Sequence, residues 1–214
     1  MSIVVRNLSE QLTELVRDRI LAGSVPQDLP IRQDALAAEL GVSKIPLREA
    51  LTRLEQEGLL RSQANRGYFV RQLSAAEAEE VFALRLKLEP DATAAAASQA
   101  SDEERRRAEA ALVELERVTA QHDLSVGAAN RAFHLALVRP AAQPVTATII
   151  ERMHILSERY VRVHLEPLGR NERANEEHRH IIDAWLSRDG DHVARLLRMH
   201  IDQTLEDLRR QLPA

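Results

Sequence analysis

Two groups of side chains in this 214-residue chain are of types that hold charged partners. In the first, Asn130 and His134 are four residues apart, His178 shares a spacing with Ile182 and Trp185, and His200 shares one with Leu197 and Thr204. On α-helices, separations of three, four and seven put side chains on one face, so all four polar groups can point into an apolar interior. Neutral imidazole nitrogens brought together from three helices suit zinc, nickel and similar divalent ions. The same pattern also fits histidines that are only hydrogen-bonded within a core. His154 lies in the long helical stretch after Pro144 and can line such a cavity, whereas His122, His164, His180 and His192 read as surface or core residues.

In the second group, Lys44 and Arg48 are four apart and project from the side of a helix opposite a leucine stripe, where they can reach phosphates or base edges. Arg66 lies at the tip of a polar segment and is placed to enter a neighbouring minor groove. Any one of these residues also fits a solvated surface. The elements around them favour a nucleic-acid partner. A helical stripe runs from about residue 7 to 22 and stops at Gly23, and a short helix over residues 35–40 stops at Gly41. Ser43 can cap the next helix, Pro46 fits its first turn, and Leu47, Ala50, Leu51, Leu54 and Leu59 mark its inner face as far as Gly58. Two short helices joined by Gly41-Val42-Ser43 have helix-turn-helix spacing, and Leu59-Leu60-Arg61 and Tyr68-Phe69-Val70 flank Ala64-Asn65-Arg66-Gly67 as a hairpin wing.

Residues 1–73 therefore read as a winged helix-turn-helix domain. Ser74-Ala75-Ala76-Glu77 and Ser101-Asp102-Glu103-Glu104 have the capping-box pattern and predict new helices from about residues 74 and 101. Breaks at Asp123, Pro140, Pro144, Pro167-Leu168-Gly169 and Asp189-Gly190-Asp191 divide residues 74–214 into about six helices. The expected fold class is mainly α, with a winged helix-turn-helix followed by an all-helical bundle. Apolar residues are 44% and charged residues 29%, as in a folded helix-rich protein, and aromatics are only 3%, so the cores must be aliphatic. The net charge of −4 argues against wholesale coating of nucleic acid. Its distribution is uneven: residues 1–73 carry 10 basic and 9 acidic side chains, the remainder 19 and 24, which points any DNA-binding surface to the first third.

No cysteine is present, which excludes disulfides and thiolate metal sites and is compatible with a reducing compartment; a cytoplasmic location is the simplest expectation. Arg6, Glu10, Glu14, Arg17, Asp18 and Arg19 interrupt the apolar core that a signal peptide needs, and no apolar run is long enough to span a membrane.

The string Gly41-Val42-Ser43-Lys44-Ile45-Pro46-Leu47-Arg48-Glu49-Ala50-Leu51, followed by Leu54-Glu55, Glu57-Gly58-Leu59-Leu60 and Asn65-Arg66-Gly67-Tyr68-Phe69-Val70, resembles the GntR family of bacterial regulators over about residues 8–72. The resemblance implies a homodimer on a palindromic double-stranded operator. It assigns DNA contacts to Ser43, Lys44, Pro46 and Arg48 of the recognition helix, to Asn65, Arg66 and Gly67 of the wing, and to Arg32 near the second helix. The family usually has Ser-Arg where this chain has Ser43-Lys44, and lysine cannot copy a bidentate guanine contact, so the bases read are expected to differ.

Asn130-x-x-x-His134, Glu177-His178 and Met199-His200 resemble the FCD sensor domain of the FadR subfamily over about residues 75–210. Metal-binding members of that subfamily use one aspartate and three histidines, and here Asn130 stands in the aspartate's place. It keeps an oxygen donor and loses a charge, which lowers the expected affinity for metal or gives a bound anion more weight. The resemblance, taken with the helical geometry, implies a metal at Asn130, His134, His178 and His200 that accepts the carboxylate of a small organic acid, with Arg85 pairing to the acid and His154 beside it.

The function expected is that of a ligand-responsive, sequence-specific transcriptional regulator, a repressor rather than an enzyme. A metal-dependent hydrolase is the rival, but no general base stands next to the histidines in the sequence, no nucleophile or phosphate-loop motif is present, and the winged domain would have no role. A metal-independent protein-binding adaptor is the third reading.

Overall fold

A computed structural model describes residues 8–212 apart from residues 28, 124, 166 and 168 and the side chain of residue 162. The chain forms two compact units, one ending at Gln72 and the other starting at Leu73.

In the first unit, α1 (Leu8–Leu21) packs on α3 (Lys44–Gln56), with α2 (Gln33–Glu39) beside α3. Leu12, Val16 and Ile20 of α1 meet Leu47, Leu51 and Leu54 of α3 in a core completed by Leu59, Leu60, Phe69 and Val70, all nearly inaccessible to water. Arg17 clamps the end of α3 by donating to both carboxylate oxygens of Glu57, at 2.8 and 2.6 Å. Gly41 follows α2 with φ +66°, a conformation that costs glycine little and lets α3 start immediately. Ser43 has the extended backbone of a capping residue, but its hydroxyl makes no capping bond, contrary to expectation. A capping oxygen accepts from the second or third helical N–H, and Pro46 occupies the third position with no N–H to donate. Strands β1 (Leu60–Gln63) and β2 (Gly67–Val70) pair antiparallel, in register from Leu60↔Val70 to Gln63↔Gly67. Their turn closes through Arg66 N–H donating to Gln63 O at 3.0 Å, with Asn65 at φ 59°, the positive-φ position that asparagine tolerates.

The second unit is built from α4 (Ala75–Gln99), α5 (Asp102–Ala120), α6 (Val126–Val138), a 3₁₀ turn at Arg139–Ala141, α7 (Pro144–Leu165), α8 (Arg170–Leu186) and α9 (Gly190–Gln211). That is nine α-helices and one hairpin among the described residues. Helix α4 packs along α9 and α7, α5 along α6, and α8 along α9, around a core containing Phe82, Leu115, Phe133, Leu137, Trp185 and Ile201. At α5 the capping box is complete: Ser101 Oγ accepts from Glu104 N–H, and Glu104 accepts from Ser101 N–H at 2.8 Å. At α4 only half of it forms. Ser74 Oγ accepts from Glu77 N–H, but the Glu77 carboxylate turns to Tyr160 of α7, whose hydroxyl donates to it at 2.8 Å and accepts from Ser74 N–H at 3.0 Å. Burial first, and then Glu77, push the Tyr160 hydroxyl up to about 12, so it stays a donor. Trp185 Nε1–H donates to the Leu137 carbonyl at 3.1 Å, satisfying one of the last carbonyls of α6, which have no partner within their own helix.

Helices α6 and α7 approach closely at Gly127. A Cβ there would lie 2.4 Å from Cγ of Glu158, itself buried, and 3.3 Å from the Glu158 carbonyl oxygen. Gly127→Ala is expected to destabilise this unit by about 1–3 kcal/mol. The measurement is the urea midpoint followed by Trp185, the only tryptophan in the chain; an unchanged midpoint would mean the helices separate there without cost.

Candidate functional site

The winged unit gathers four of its cations on one open groove. Arg32, beside α2, Lys44 and Arg48 on α3, and Arg66 and Gly67 at the wing all line it, together with Ile45 and Asp34. All four cations are exposed. They share the face because the inner side of α3 is committed to Leu47, Ala50, Leu51 and Leu54, which turns positions 44, 45, 48 and 52 outward. Lys44 pairs with Asp34, joining α2 to α3 across the turn. Thr52 Oγ1 and the Tyr68 hydroxyl lie 2.8 Å apart, which ties the wing to the same helix. The Arg66 guanidinium lies 5.7 Å from the Phe69 ring centre, with Arg61 at 4.9 Å. Ser43 and Asn65 are exposed but do not wall the groove, and Pro46 is half-buried at the start of the helix. Arg53, further along α3, turns toward Glu10 of α1 at 3.9 Å. An exposed helix with cations on one face, flanked by a basic hairpin, suits a phosphate-lined duplex groove.

The helical unit holds the second constellation in its interior. His134 of α6, His178 of α8 and His200 of α9 are buried, and one ring nitrogen from each falls within 4.8 Å of the others. The ring centres of His178 and His200 are 4.7 Å apart, those of His134 and His178 5.4 Å, and those of His134 and His200 5.5 Å. Neither nitrogen of His178 has a hydrogen-bond partner, nor has Nε2 of His134. Burial, and then the neighbouring histidines, push His134 and His178 well below the usual imidazole range, so both rings are neutral and have lone pairs available. His200 Nδ1 lies 2.6 Å from the Glu177 carboxylate, which fixes the proton on that nitrogen and leaves Nε2 as the donor atom.

Asn130 is buried and shares a cavity of about 20 Å³ with Arg85, His164, His178, His200 and Thr204. A space of that size takes a water or an ion. Arg85 donates to both oxygens of Glu89 from Nε (2.6 Å) and Nη2 (3.3 Å), and Nη1 reaches Ser157 Oγ at 3.4 Å. His154 does not line this cavity; its Nε2 approaches Glu89 at 3.2 Å and its ring lies 5.0 Å from that of His134. Burial by itself would raise the Glu89 carboxyl, but Arg85 and His154 reverse that and hold it at about 2. His164, read from sequence as a surface or core residue, walls the cavity and lies 3.5 Å from Asp207; burial holds it at about 4.

Glu89 and Asp207 were missing from the sequence reading, and Glu177 entered it only within the Glu177-His178 string, with no role of its own. The Arg85-x-x-x-Glu89 spacing was a legible signal for one of them, since i,i+4 opposite charges meet on a helix. Glu177 meets His200 and Asp207 meets Arg173 across helices, and spacing within one helix gave no sign of either meeting.

Residues 8–70 match the model of the bacterial regulatory proteins of the gntR family, and residues 80–203 match the FCD domain. The Nta operon transcriptional regulator of Aminobacter aminovorans is 32% identical over 186 residues, covering 84% of this chain and 86% of that protein. The HTH-type transcriptional repressor RspR of Escherichia coli K12 is 23% identical over 206 residues, covering 94% and 89%. Among solved structures, Escherichia coli McbR/YncC superposes with a TM-score of 0.81 over 96% of this chain and 98% of its own, at 21% identity, a likeness of fold. No described helix is long and apolar enough to cross a membrane. The family consists of transcriptional regulators rather than enzymes, which removes the hydrolase reading. With both domain models matched in order along one chain, this protein belongs to the GntR family of bacterial transcriptional regulators and carries a DNA-binding helix-turn-helix joined to an FCD domain.

Proposed function

We propose that this regulator is a cytoplasmic, ligand-responsive repressor that binds a palindromic operator as a homodimer, and that its FCD domain holds a divalent metal and answers to a small organic acid. The observation that carries the metal reading is His178, whose two buried nitrogens lack partners while His134 and His200 stand beside it. A buried polar group left unsatisfied costs about 1–3 kcal/mol, and a neutral imidazole facing two others is the donor set of zinc or nickel. His134, His178 and His200 would hold the ion, with the Asn130 amide oxygen as the neutral substitute for a carboxylate. When bound, the ion supplies positive charge and open coordination positions for an anionic ligand.

The chain's own groups do the rest. Glu177 orients His200, and Arg85 faces the cavity with Nη1 less committed than its other two nitrogens, ready to donate to a carboxylate. The walls enclose too little space for an organic acid, so its entry requires the surrounding helices to part. A ligand then favours the parted arrangement by its better affinity for it, and DNA affinity falls if that arrangement fits the operator less well. The repressor named among the relatives supports the sign of the response.

Protein purified without chelator is expected to carry one zinc or nickel ion per chain by elemental analysis, and His178→Ala to carry none. Glu177→Gln should weaken metal binding about 10- to 100-fold, and Asn130→Asp should tighten it. Wild-type protein that takes up none of these ions at neutral pH sinks the metal reading.

On the DNA side, Arg66→Ala should weaken binding to every sequence alike and reduce the slope of log affinity against log salt by about one. Arg48→Ala should in addition relax preference at one base pair, at a cost of about 1–3 kcal/mol. Gel-shift titrations over a salt series test both, and binding unchanged in either variant contradicts the groove assignment.

A further inference from the structure

We infer that Ile45 is a base-reading residue, selecting a thymine in each operator half-site by contact with the C5-methyl group. Ile45 is 72% exposed, the most exposed large apolar side chain described in the winged unit. A lone exposed apolar residue is ordinary on a protein surface, so exposure alone carries no message. Position does. Leu47, Ala50, Leu51 and Leu54 define the buried arc of α3, and at 3.6 residues per turn Ile45 and Thr52 lie almost diametrically opposite it, on the line of the helix that projects furthest from the core. Ile45 is also a wall of the groove that Arg32, Lys44, Arg48 and Arg66 line.

The fold offers no account of an isoleucine at this place. It packs into no core, it is a weaker helix former than lysine, glutamate or alanine, and each of those would be better suited to water. Against duplex DNA the choice makes sense. The thymine methyl is the apolar feature of the major-groove floor, and an aliphatic side chain is its complement. Lys44 on one side, steadied by Asp34, and Arg48 one turn further along supply the phosphate and base-edge contacts that would hold the helix over that floor. The β-branched side chain is stiff at χ1, so little rotamer freedom is lost on contact. Where a polar side chain would accept a substitute base at little cost, Ile45 gains only when a methyl group is present to meet it.

The test uses the full-length protein. Selection from random duplexes defines the half-site, and each thymine is then replaced singly by deoxyuridine, which pairs identically and lacks only the methyl group. At one thymine the replacement should weaken wild-type binding about fourfold per half-site, the value of one buried methyl group. Ile45→Ser should bind both duplexes equally, and Ile45→Val should retain the preference for thymine. A consensus in which every deoxyuridine replacement leaves wild-type affinity unchanged overturns the inference while leaving sequence-specific binding intact. A loss of the same size in Ile45→Ser overturns it too, since another residue would then read the methyl. If selection enriches no sequence, base reading by Ile45 and sequence-specific binding fall together. The deoxyuridine arm on wild-type protein stands whether or not the variants fold.

Discussion

The presence of imidazole nitrogens without partners in an aliphatic interior is the condition around which the helical unit is organised. Folded domains are stable by only about 5–15 kcal/mol, and each orphaned buried polar group takes a sizeable share of that. Of five such imidazole nitrogens among the described residues, His154 Nε2 and His164 Nδ1 face the carboxylates of Glu89 and Asp207, while two on His178 and one on His134 sit together with no carboxylate paired to them. Burial and the neighbouring histidines keep the His134 and His178 rings neutral, while the carboxylates nearby leave their lone pairs unfilled: Glu177 engages Nδ1 of His200, and Glu89, locked by Arg85, faces His154. This is the interior in which the proposed metal would find its donors.

The winged unit works by the opposite electrostatic rule. Its chemistry is exposed, its cations have ordinary solvent access, and its specificity depends on which side of α3 faces out. Lys44 is a case in point. It is paired with Asp34, yet both side chains are largely exposed, and an exposed pair of this kind contributes little to stability. Its effect is positional: it steadies the ammonium near the turn between α2 and α3.

Much of this was readable from the residues in order. The helix-turn-helix, the wing and the six C-terminal helices follow from stripes, glycines and prolines, because those signals are local. The histidine cluster was also legible, because three residues at helical spacings commit to faces that a small bundle must bury. What escaped were relations across elements. Ser43 lost its capping bond to the absent N–H of Pro46, two facts visible in the sequence but informative only together. Glu77 has the spacing of a capping residue, and a tyrosine 83 positions later claimed its carboxylate instead. Glu177 and Asp207 acquire their roles from neighbours on other helices, and no periodicity within a single helix encodes such a meeting.

That diversion of Glu77 has a mechanical side. Tyr160 belongs to the helix that also carries Ser157 and His164, one against Arg85 and the other in the cavity wall, and its hydroxyl grips the first turn of α4, next to the residue where the second unit begins. The position of α7 is thus tied by directed bonds, and not by apolar packing alone, to the residue that follows the start of the second unit.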